Sequence, residues 1–207
     1  MAAVGIIGAS GFTGAELLRL CAAHPDLDVV VATGDSQAGT AVADLYPSLA
    51  AHYGDLTFAE VDDTTADGCD VVFLGLPHGA SQALVPDLAS RVGHVIDLAA
   101  DFRLRDAALY PEWYDEPHTA PGLLVDFAYG LPELYRPSIV GAPLIAVPGC
   151  YPTATSLALA PFVWGGHVEP SGLVVDAASG VSGAGRPPKP HTTFCAVDED
   201  YSAYGLV

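Results

Sequence analysis

Positive charge is scarce in this chain. Its 207 residues include 7 Lys and Arg against 25 Asp and Glu, which gives a formal net charge of -18. A surface this negative repels phosphate backbones and anionic lipid headgroups, so we expect neither general nucleic-acid binding nor docking on a membrane. The cations available to hold an anionic substrate are Arg19, Arg91, Arg103, Arg105, Arg136, Arg186 and Lys189.

Signatures of metal sites, disulfides and several catalytic classes are also missing. The four cysteines form no C-x-x-C pair and the seven histidines form no H-E-x-x-H motif, so neither a zinc site nor a disulfide framework is predicted. The single lysine, Lys189, follows Pro188 and cannot complete the G-K-[ST] of a nucleoside triphosphate site. The absence of a G-x-S-x-G motif argues against a hydrolase.

No long apolar run is free of helix breakers. The uncharged stretch 137–168 is interrupted by Pro143, Pro148, Pro152 and Pro161. Such a stretch fits a membrane-spanning helix poorly. The first basic residue is Arg19, so the N-terminus lacks the charged region of a signal peptide. We therefore expect a soluble, cytoplasmic protein.

What the sequence does contain is an alternation of apolar runs and helical patterns. Strand-length apolar runs occupy residues 4–7, 27–33, 71–76, 95–98 and 144–147, and a helical pattern spans 15–23. Continuous apolar strands separated by helices are typical of a parallel sheet covered on both faces. The predicted fold is therefore α/β, with a Rossmann-like doubly wound parallel sheet.

The pattern changes after Pro148. We expect a helix at 152–163, a strand at 173–177, a Gly/Pro-rich loop at 180–190 and β structure at 192–197. This division predicts a dinucleotide-binding domain at 1–148 and the start of an α+β catalytic and dimerisation domain at 149–207. Because no closing element is evident before Val207, we interpret the second domain as truncated and the chain as a fragment.

The first apolar run leads into the segment G-A-S-G-F-T-G at 8–14, which opens a helix. Glycines at such a junction let the backbone approach a pyrophosphate, whose charge the helix N-terminus stabilises. The spacing varies from the usual G-x-G-x-x-G, and a plain tight turn is the structural alternative. The location at the first strand–helix junction favours a dinucleotide site. Its predicted residues are Gly8, Ser10, Gly11, Phe12, Thr13 and Gly14.

The end of the second apolar run carries Asp35 and Ser36. An acidic residue at this point binds the ribose 2′-hydroxyl of NAD, whereas serine favours the 2′-phosphate of NADP. The two residues indicate opposite preferences, so these positions alone leave the choice of cofactor open.

Cys150 lies in the segment P-G-C-Y-P-T, at the start of a predicted helix. A thiolate is the nucleophilic form of cysteine, and a helix N-terminus stabilises its negative charge. The alternative is a small buried apolar residue, which is how we interpret Cys21 and Cys69. A dinucleotide domain upstream favours a catalytic nucleophile at Cys150.

Further motifs follow one another along the chain. They are L-P-H-G at 76–79, A-D-F-R-L at 100–104, Y-G-L-P-E at 129–133, S-G-V-S-G-A-G-R at 179–186 and S-A-Y-G at 202–205. Together with the glycine-rich and cysteine segments, they cover essentially the whole chain. In this combination the sequence resembles the N-acetyl-γ-glutamyl-phosphate reductases. Aspartate-semialdehyde and glyceraldehyde-phosphate dehydrogenases share the plan but surround their cysteine differently.

The resemblance implies an NADP-dependent acyl-phosphate reductase of arginine biosynthesis that forms a homodimer or homotetramer. The Cys150 thiolate would attack the acyl phosphate of N-acetylglutamyl phosphate, release phosphate and leave a thioester. Hydride from NADPH would then reduce the thioester to the semialdehyde, which replaces one difficult displacement with two easier steps. NAD is the less favoured cofactor in this interpretation.

The same resemblance assigns roles to other residues. Pro77 and His78 would lie near the nicotinamide, and Ser182 and Gly183 would close over the cofactor. Ser36 belongs to the cofactor set, and Arg103 and Arg186 to the substrate set, since arginine binds phosphate and carboxylate groups bidentately. For Arg103 an ion pair with Asp101 is the structural alternative.

Two departures from the family bear on these expectations. The family's acid–base histidine follows the S-A-Y-G segment, and this sequence stops at Val207 before reaching it; His191 does not occupy that position. Asp35 and Thr40 lie in a segment where family members often carry basic residues, although we still expect NADP.

Other functions remain as alternatives. A short-chain reductase needs a Tyr-x-x-x-Lys pair, and position 185, four residues before Lys189, is glycine. A dinucleotide-binding sensor without turnover stays open, as does a reductase acting on a carrier-linked aminoadipyl or glutamyl phosphate.

Overall fold

The structure, a computed structural model, describes residues 1–204. The chain divides into two compact units, Met1–Val175 and Asp176–Val207. The expected domain boundary between 148 and 149 stays a prediction. None of the helices in the described residues is long and apolar enough to cross a membrane.

The first unit is built on a parallel sheet. Within residues 1–204, six strands pair in the order β2-β1-β3-β4-β6-β5. They are β1 Ala2–Ile7, β2 Leu27–Ala32, β3 Val71–Leu74, β4 His94–Asp97, β5 Ala128–Tyr129 and β6 Leu144–Ala146. This confirms the predicted α/β class. The chain leaves β1 for β2 on one side and then crosses to β3 on the other, so the strand order reverses beside β1.

Helices connect the strands. They are α1 Phe12–Ala22, α2 Val42–Leu45, α3 Ala50–Tyr53, α4 Ser81–Arg91, α5 Tyr110–Tyr114, α6 Pro132–Ile139, α7 Cys150–Trp164 and α8 Phe194–Val197. Short 3₁₀ turns lie at Asp35–Gln37, Pro47–Leu49, Ala107–Leu109, Pro121–Asp126, Val181–Ala184 and Pro190–Thr192.

Apolar side chains cover both faces of the sheet. Ile6 and Ile7 are adjacent in β1 but belong to different buried clusters, because successive side chains of a strand point to opposite faces. Ile6 packs with Leu18 of α1, and Ile7 with Val85 of α4. The sheet is thus held between helices, which fixes the loops at its edges.

Two local expectations differ from the structure, and one strand was not predicted. Residues 173–177 form no strand, and Val174 is 95% exposed. An extended segment needs a neighbouring strand for its N–H and C=O groups, and in the described chain none pairs with it. Residues 192–197 form a 3₁₀ turn and α8 instead of β structure. The two-residue β5 was missed because it is too short to give a periodic signal.

The junction between β1 and α1 requires glycine for steric reasons. A Cβ on Gly14 would lie 2.4 Å from Cα of Ala9, a backbone atom that cannot move aside. Gly8 has a φ of 85°, and its Cβ would meet the carbonyl oxygen of Gly75 at 2.5 Å. Without a side chain, Gly14 lets the start of α1 pack against Ala9, and Gly8 lets the turn approach the end of β3 closely.

We expect Gly14→Ala to lower the free energy of unfolding by about 1–3 kcal/mol, because the added methyl group clashes with backbone. Gly122→Ala is the matched control, since a Cβ there has no neighbour within 4 Å. Urea denaturation of both variants measures the difference. Equal unfolding midpoints would contradict the steric account of the turn.

Candidate active site

The candidate site lies at one edge of the sheet. Because the strands are parallel, the segments that follow β1, β3, β4 and β6 all leave from their carboxyl ends. This edge therefore collects most of the residues predicted for the site. They are the cofactor residues Gly8, Ser10, Gly11, Phe12, Thr13, Gly14, Pro77 and His78, together with Arg103 and Cys150.

The glycine-rich turn is held by Thr33, at the end of β2. The N–H of Gly8 donates to Oγ1 of Thr33 at 3.1 Å, and the N–H of Ala9 to its carbonyl oxygen at 2.7 Å. Gly11 is the N-cap of α1 and, among residues 1–204, no side chain caps that end. The first-turn amides of α1 thus have no acceptor within the helix, which is the arrangement that binds anions.

The end of β2 places Asp35 and Ser36 at the same edge. Both side chains are exposed, in the 3₁₀ turn that follows Gly34. Asp35 has a φ of 26°, an uncommon value for a residue with a side chain. The carboxylate and the hydroxyl are both available to a ligand at this point.

Cys150 is the first residue of α7 and is exposed. The N-cap is Gly149, and the first turn contains no acidic residue. The hydroxyl of Thr153 donates to the carbonyl oxygen of Gly149 at 2.8 Å, which fixes the turn. The amides of this turn favour negative charge at the helix start, which is where the thiol lies.

Arg103 ties together two of the segments at this edge. Its Nε donates to the carbonyl oxygen of Val147 at 2.7 Å, and its Nη2 to that of Leu98 at 2.8 Å. A Cβ on Gly149 would lie 3.2 Å from Nη1, so the guanidinium sits beside the segment that leads to Cys150. Within the described residues Arg103 forms no ion pair with Asp101, and its role in substrate binding stays a prediction.

Asp101 holds the segment that carries His78. Its fully buried carboxylate accepts the N–H groups of Gly79 at 2.7 Å, Ser81 at 2.9 Å and Gln82 at 3.3 Å. Nδ1 of His78 lies 2.6 Å from Oδ1 of Asp101, without the alignment of a hydrogen bond. Negative charge at the N-terminus of α4 stabilises that helix.

The backbone of Asp101 is fixed as well. Its carbonyl oxygen accepts the hydroxyl of Tyr110 at 2.6 Å, and Nε2 of His118 lies 2.7 Å away. Nδ1 of His118 accepts the N–H of Ala120, so the proton is on Nε2, which donates to Asp101. Burial lowers the pKa of His118, which favours this neutral ring.

Asp97 is a second buried carboxylate at this edge. Its Oδ1 accepts the hydroxyl of Ser81 at 2.7 Å and the N–H of Ala99 at 3.1 Å. Its Oδ2 has no hydrogen-bond partner in the part of the chain described. Burial raises the pKa of Asp97 to about 6, the nearby charge of Asp101 adds to the rise, and the hydrogen bonds from Ser81 and Ala99 oppose it.

Comparison with known families identifies the domains to which the chain belongs. Residues 3–142 match the NAD binding domain of semialdehyde dehydrogenase, and residues 150–207 match the semialdehyde dehydrogenase dimerisation domain. The chain belongs to the semialdehyde dehydrogenase family.

Curated relatives are identical to this chain at about half of the aligned positions. Proteins named N-acetyl-gamma-glutamyl-phosphate reductase are 52% identical in Pseudomonas entomophila, 51% in Pseudomonas aeruginosa and 50% in Azotobacter vinelandii. Each match covers 206 residues, 100% of this chain and 60% of the relative. The chain thus spans about 60% of the length of these relatives.

Solved structures of aspartate semialdehyde dehydrogenases share the fold. Aspartate semialdehyde dehydrogenase from Francisella tularensis superposes with a TM-score of 0.58 at 19% identity, over 80% of this chain and 42% of that one. The enzyme from Candida albicans, solved with NADP, gives 0.53 at 16% identity, over 78% and 48%.

Three of the predicted residues lie in the second unit. Ser182 and Gly183 are in the 3₁₀ turn Val181–Ala184, and Arg186 follows it. Nε of Arg186 is buried without a hydrogen-bond partner among residues 1–204. Gly205 of the S-A-Y-G segment lies outside the described residues. The roles of these residues in this semialdehyde dehydrogenase stay predictions.

Sequence reasoning missed the buried carboxylates. Asp97 was not singled out, and Asp101 was named only as a partner for Arg103. The available signal was an acidic residue at the end of an apolar run, at 95–98, followed by a second in A-D-F-R-L. A charge in that context is either paired or functional.

Asp97→Asn should change how stability depends on pH. The folded pKa of about 6 exceeds the ordinary 3.8, so the folded protein binds more protons between these values, and stability falls as pH rises through them. The asparagine variant loses this dependence. Its free energy of unfolding relative to the parent should therefore increase by up to about 3 kcal/mol from pH 4 to pH 7.

Chemical denaturation at the two pH values measures this change. The exposed Asp63→Asn provides the control. If the difference in free energy of unfolding between Asp97→Asn and the parent were the same at both pH values, the expectation would be wrong. The Asp97 carboxyl group would then have the same pKa in the folded protein as in water.

Proposed function

We propose that the complete protein reduces N-acetyl-L-glutamyl 5-phosphate to N-acetyl-L-glutamate 5-semialdehyde and phosphate with NADPH, in the cytoplasmic pathway of arginine biosynthesis. The observation that carries the proposal is the exposed Cys150 at the start of α7, on the same sheet edge as the glycine-rich turn. The names of the relatives supply the substrate.

The distance between the glycine-rich turn and Cys150 suits a dinucleotide that lies across the carboxyl ends of the strands. In the sheet β1 and β6 are separated by β3 and β4, which is three strand spacings, or about 14 Å. Ligands of open parallel sheets bind outside the carboxyl ends at the point where the strand order reverses, here beside β1. The pyrophosphate would rest on the amides at Phe12 and Thr13, and the cofactor would extend past His78 towards Cys150.

The chemistry follows from the position of the thiol. The Cys150 thiolate attacks the acyl carbon, the bond to the phosphate oxygen breaks, and inorganic phosphate leaves with the electron pair. When bound, NADPH supplies the hydride that reduces the resulting thioester. Release of the semialdehyde then returns the thiolate. Arg103 joins the segments that follow β4 and β6 through the carbonyl groups of Leu98 and Val147.

Cys150→Ser should lower turnover by at least about 10³-fold, because a serine hydroxyl at the helix start is a far weaker nucleophile. The assay is phosphate-dependent reduction of NADP⁺ by N-acetylglutamate semialdehyde, with the complete gene product. The matched control is Cys195→Ser, which changes another exposed cysteine.

The outcomes separate the competing functions. Residual turnover near that of the parent would overturn the thioester route. If the parent bound NADP(H) but had no turnover, a dinucleotide-binding sensor or a reductase of carrier-linked aminoadipyl or glutamyl phosphate would replace the proposal.

For the cofactor we propose NADP over NAD. Ser36 is exposed beside the expected ribose and can donate to a 2′-phosphate, while Asp35 opposes it by charge. We expect Asp35→Asn to raise kcat/KM for NADPH about threefold or more with little gain for NADH, since asparagine tolerates a positive φ. Steady-state kinetics with both cofactors measure this. A higher kcat/KM of the parent protein with NADH would contradict the preference.

We also propose that the protein forms a homo-oligomer, a dimer or a tetramer. Residues 150–207 match a dimerisation domain. α7 carries no charged residue, yet none of its residues is buried and Trp164 is 70% exposed. A helix that is apolar on all sides is normally covered in the native assembly. Light scattering of the complete protein measures its mass, and a monomer would contradict this part of the proposal.

A further inference from the structure

Tyr46 contacts the glycine-rich turn from a distant part of the chain. It lies between α2 and the 3₁₀ turn Pro47–Leu49, and is 36 residues from Ser10. Its hydroxyl is 2.6 Å from the carbonyl oxygen of Ser10 and 3.3 Å from that of Gly11. The phenol therefore donates to the carbonyl side of the turn, mainly at Ser10.

This contact orients the peptide groups of the turn. In a trans peptide the C=O and the following N–H point in opposite directions. The carbonyl oxygen of Gly11 accepts the N–H of Ala15 at 2.9 Å and faces the Tyr46 hydroxyl at 3.3 Å. The N–H of Phe12, on the same peptide, is thereby directed away from the helix. It would face a pyrophosphate bound at the start of α1.

The turn is held from two sides. Thr33 accepts hydrogen bonds from the amides of Gly8 and Ala9, and Tyr46 donates one to the carbonyl oxygen of Ser10. A carbonyl oxygen turned towards a pyrophosphate would repel it, and the hydroxyl donor keeps this oxygen on the opposite side. What remains for a ligand is the set of amides at the start of α1.

We propose that Tyr46 is a positioning residue for the dinucleotide. Through the carbonyls of Ser10 and Gly11, it aims the amides of the first turn of α1 at the pyrophosphate. The inference rests on the proposed cofactor binding and adds a residue that does not itself touch the cofactor.

The chain offers a matched control in Tyr53. Its hydroxyl donates to the carbonyl oxygen of Leu18 at 2.9 Å, so it also ties a phenol to α1, but about two turns beyond Gly11, the N-cap of the helix. Tyr46→Phe and Tyr53→Phe each remove a phenol donor, which bonds to Ser10 and, at longer range, Gly11 in the first case and to Leu18 in the second. Only the first removes it from the turn.

The test is NADPH binding to the complete protein, followed by fluorescence, with thermal unfolding measured beside it. We expect Tyr46→Phe to weaken binding about threefold to tenfold, the effect of one hydrogen bond. Tyr53→Phe should bind as the parent does. In steady-state assays Tyr46→Phe should raise KM for NADPH and leave kcat and KM for the acyl phosphate unchanged.

Ligand fragments distinguish positioning from general loss of structure. ADP-ribose contains the pyrophosphate and should lose affinity by the same factor as NADPH, whereas adenosine 2′-monophosphate lacks it and should lose none. If Tyr46→Phe bound NADPH as tightly as the parent, the inference would be overturned and the proposed function would stand. The same holds if ADP-ribose and adenosine 2′-monophosphate lost affinity by equal factors. Failure of the parent to bind NADPH would overturn the proposed cofactor role and the inference with it.

Discussion

The parallel hydrogen bonding of β1, β3, β4 and β6 is the constraint on which the rest of the site depends. The ladder extends past the strand ends, since the N–H of Leu98 donates to Leu74 and that of Val147 to Asp97. The strand register therefore fixes where the segments that carry His78, Arg103 and Cys150 begin at one edge of the sheet. An antiparallel neighbour would place its following loop at the opposite edge.

Buried polar groups then fix the conformations of these segments. The Asp101 carboxylate accepts hydrogen bonds from backbone amides at the start of α4. The Asp97 carboxylate accepts them from the hydroxyl of Ser81 and the N–H of Ala99. Arg103 joins the segments after β4 and β6 through carbonyl oxygens. Burying a carboxylate costs free energy unless it is hydrogen-bonded. Burial raises the pKa of Asp97, and its hydrogen bonds from Ser81 and Ala99 oppose this rise.

The scarcity of cations makes backbone amides the natural anion binders of this chain. With 7 Lys and Arg in 207 residues, few charged side chains are available to the proposed site for two anionic ligands. Two guanidinium donors of Arg103 are already committed to carbonyls. The uncapped starts of α1 and α7 supply oriented N–H groups without adding a charged side chain. Glycine precedes both helices, so no side chain blocks the approach.

Local patterns were enough to predict the parallel sheet, the glycine-rich turn after β1 and the helix that begins at Cys150. Apolar runs, glycine spacing and a cysteine beside glycine are properties of neighbouring residues, and they act over a few positions. The same reasoning failed at 173–177, where apolar residues lack a neighbouring strand in the described chain.

Only the tertiary structure decided which side chains support the site. Tyr46 reaches Ser10 across 36 positions, and Arg103 reaches Val147 across 44. Neither contact has a local sequence signature, because a tyrosine or an arginine at such a position is compatible with many folds. The sequence by itself determined most of the strands, the glycine-rich turn and the place of Cys150 at a helix start. Folding determined the partners of Asp97, Asp101, Arg103 and Tyr46, since these depend on packing between segments that are distant in the chain.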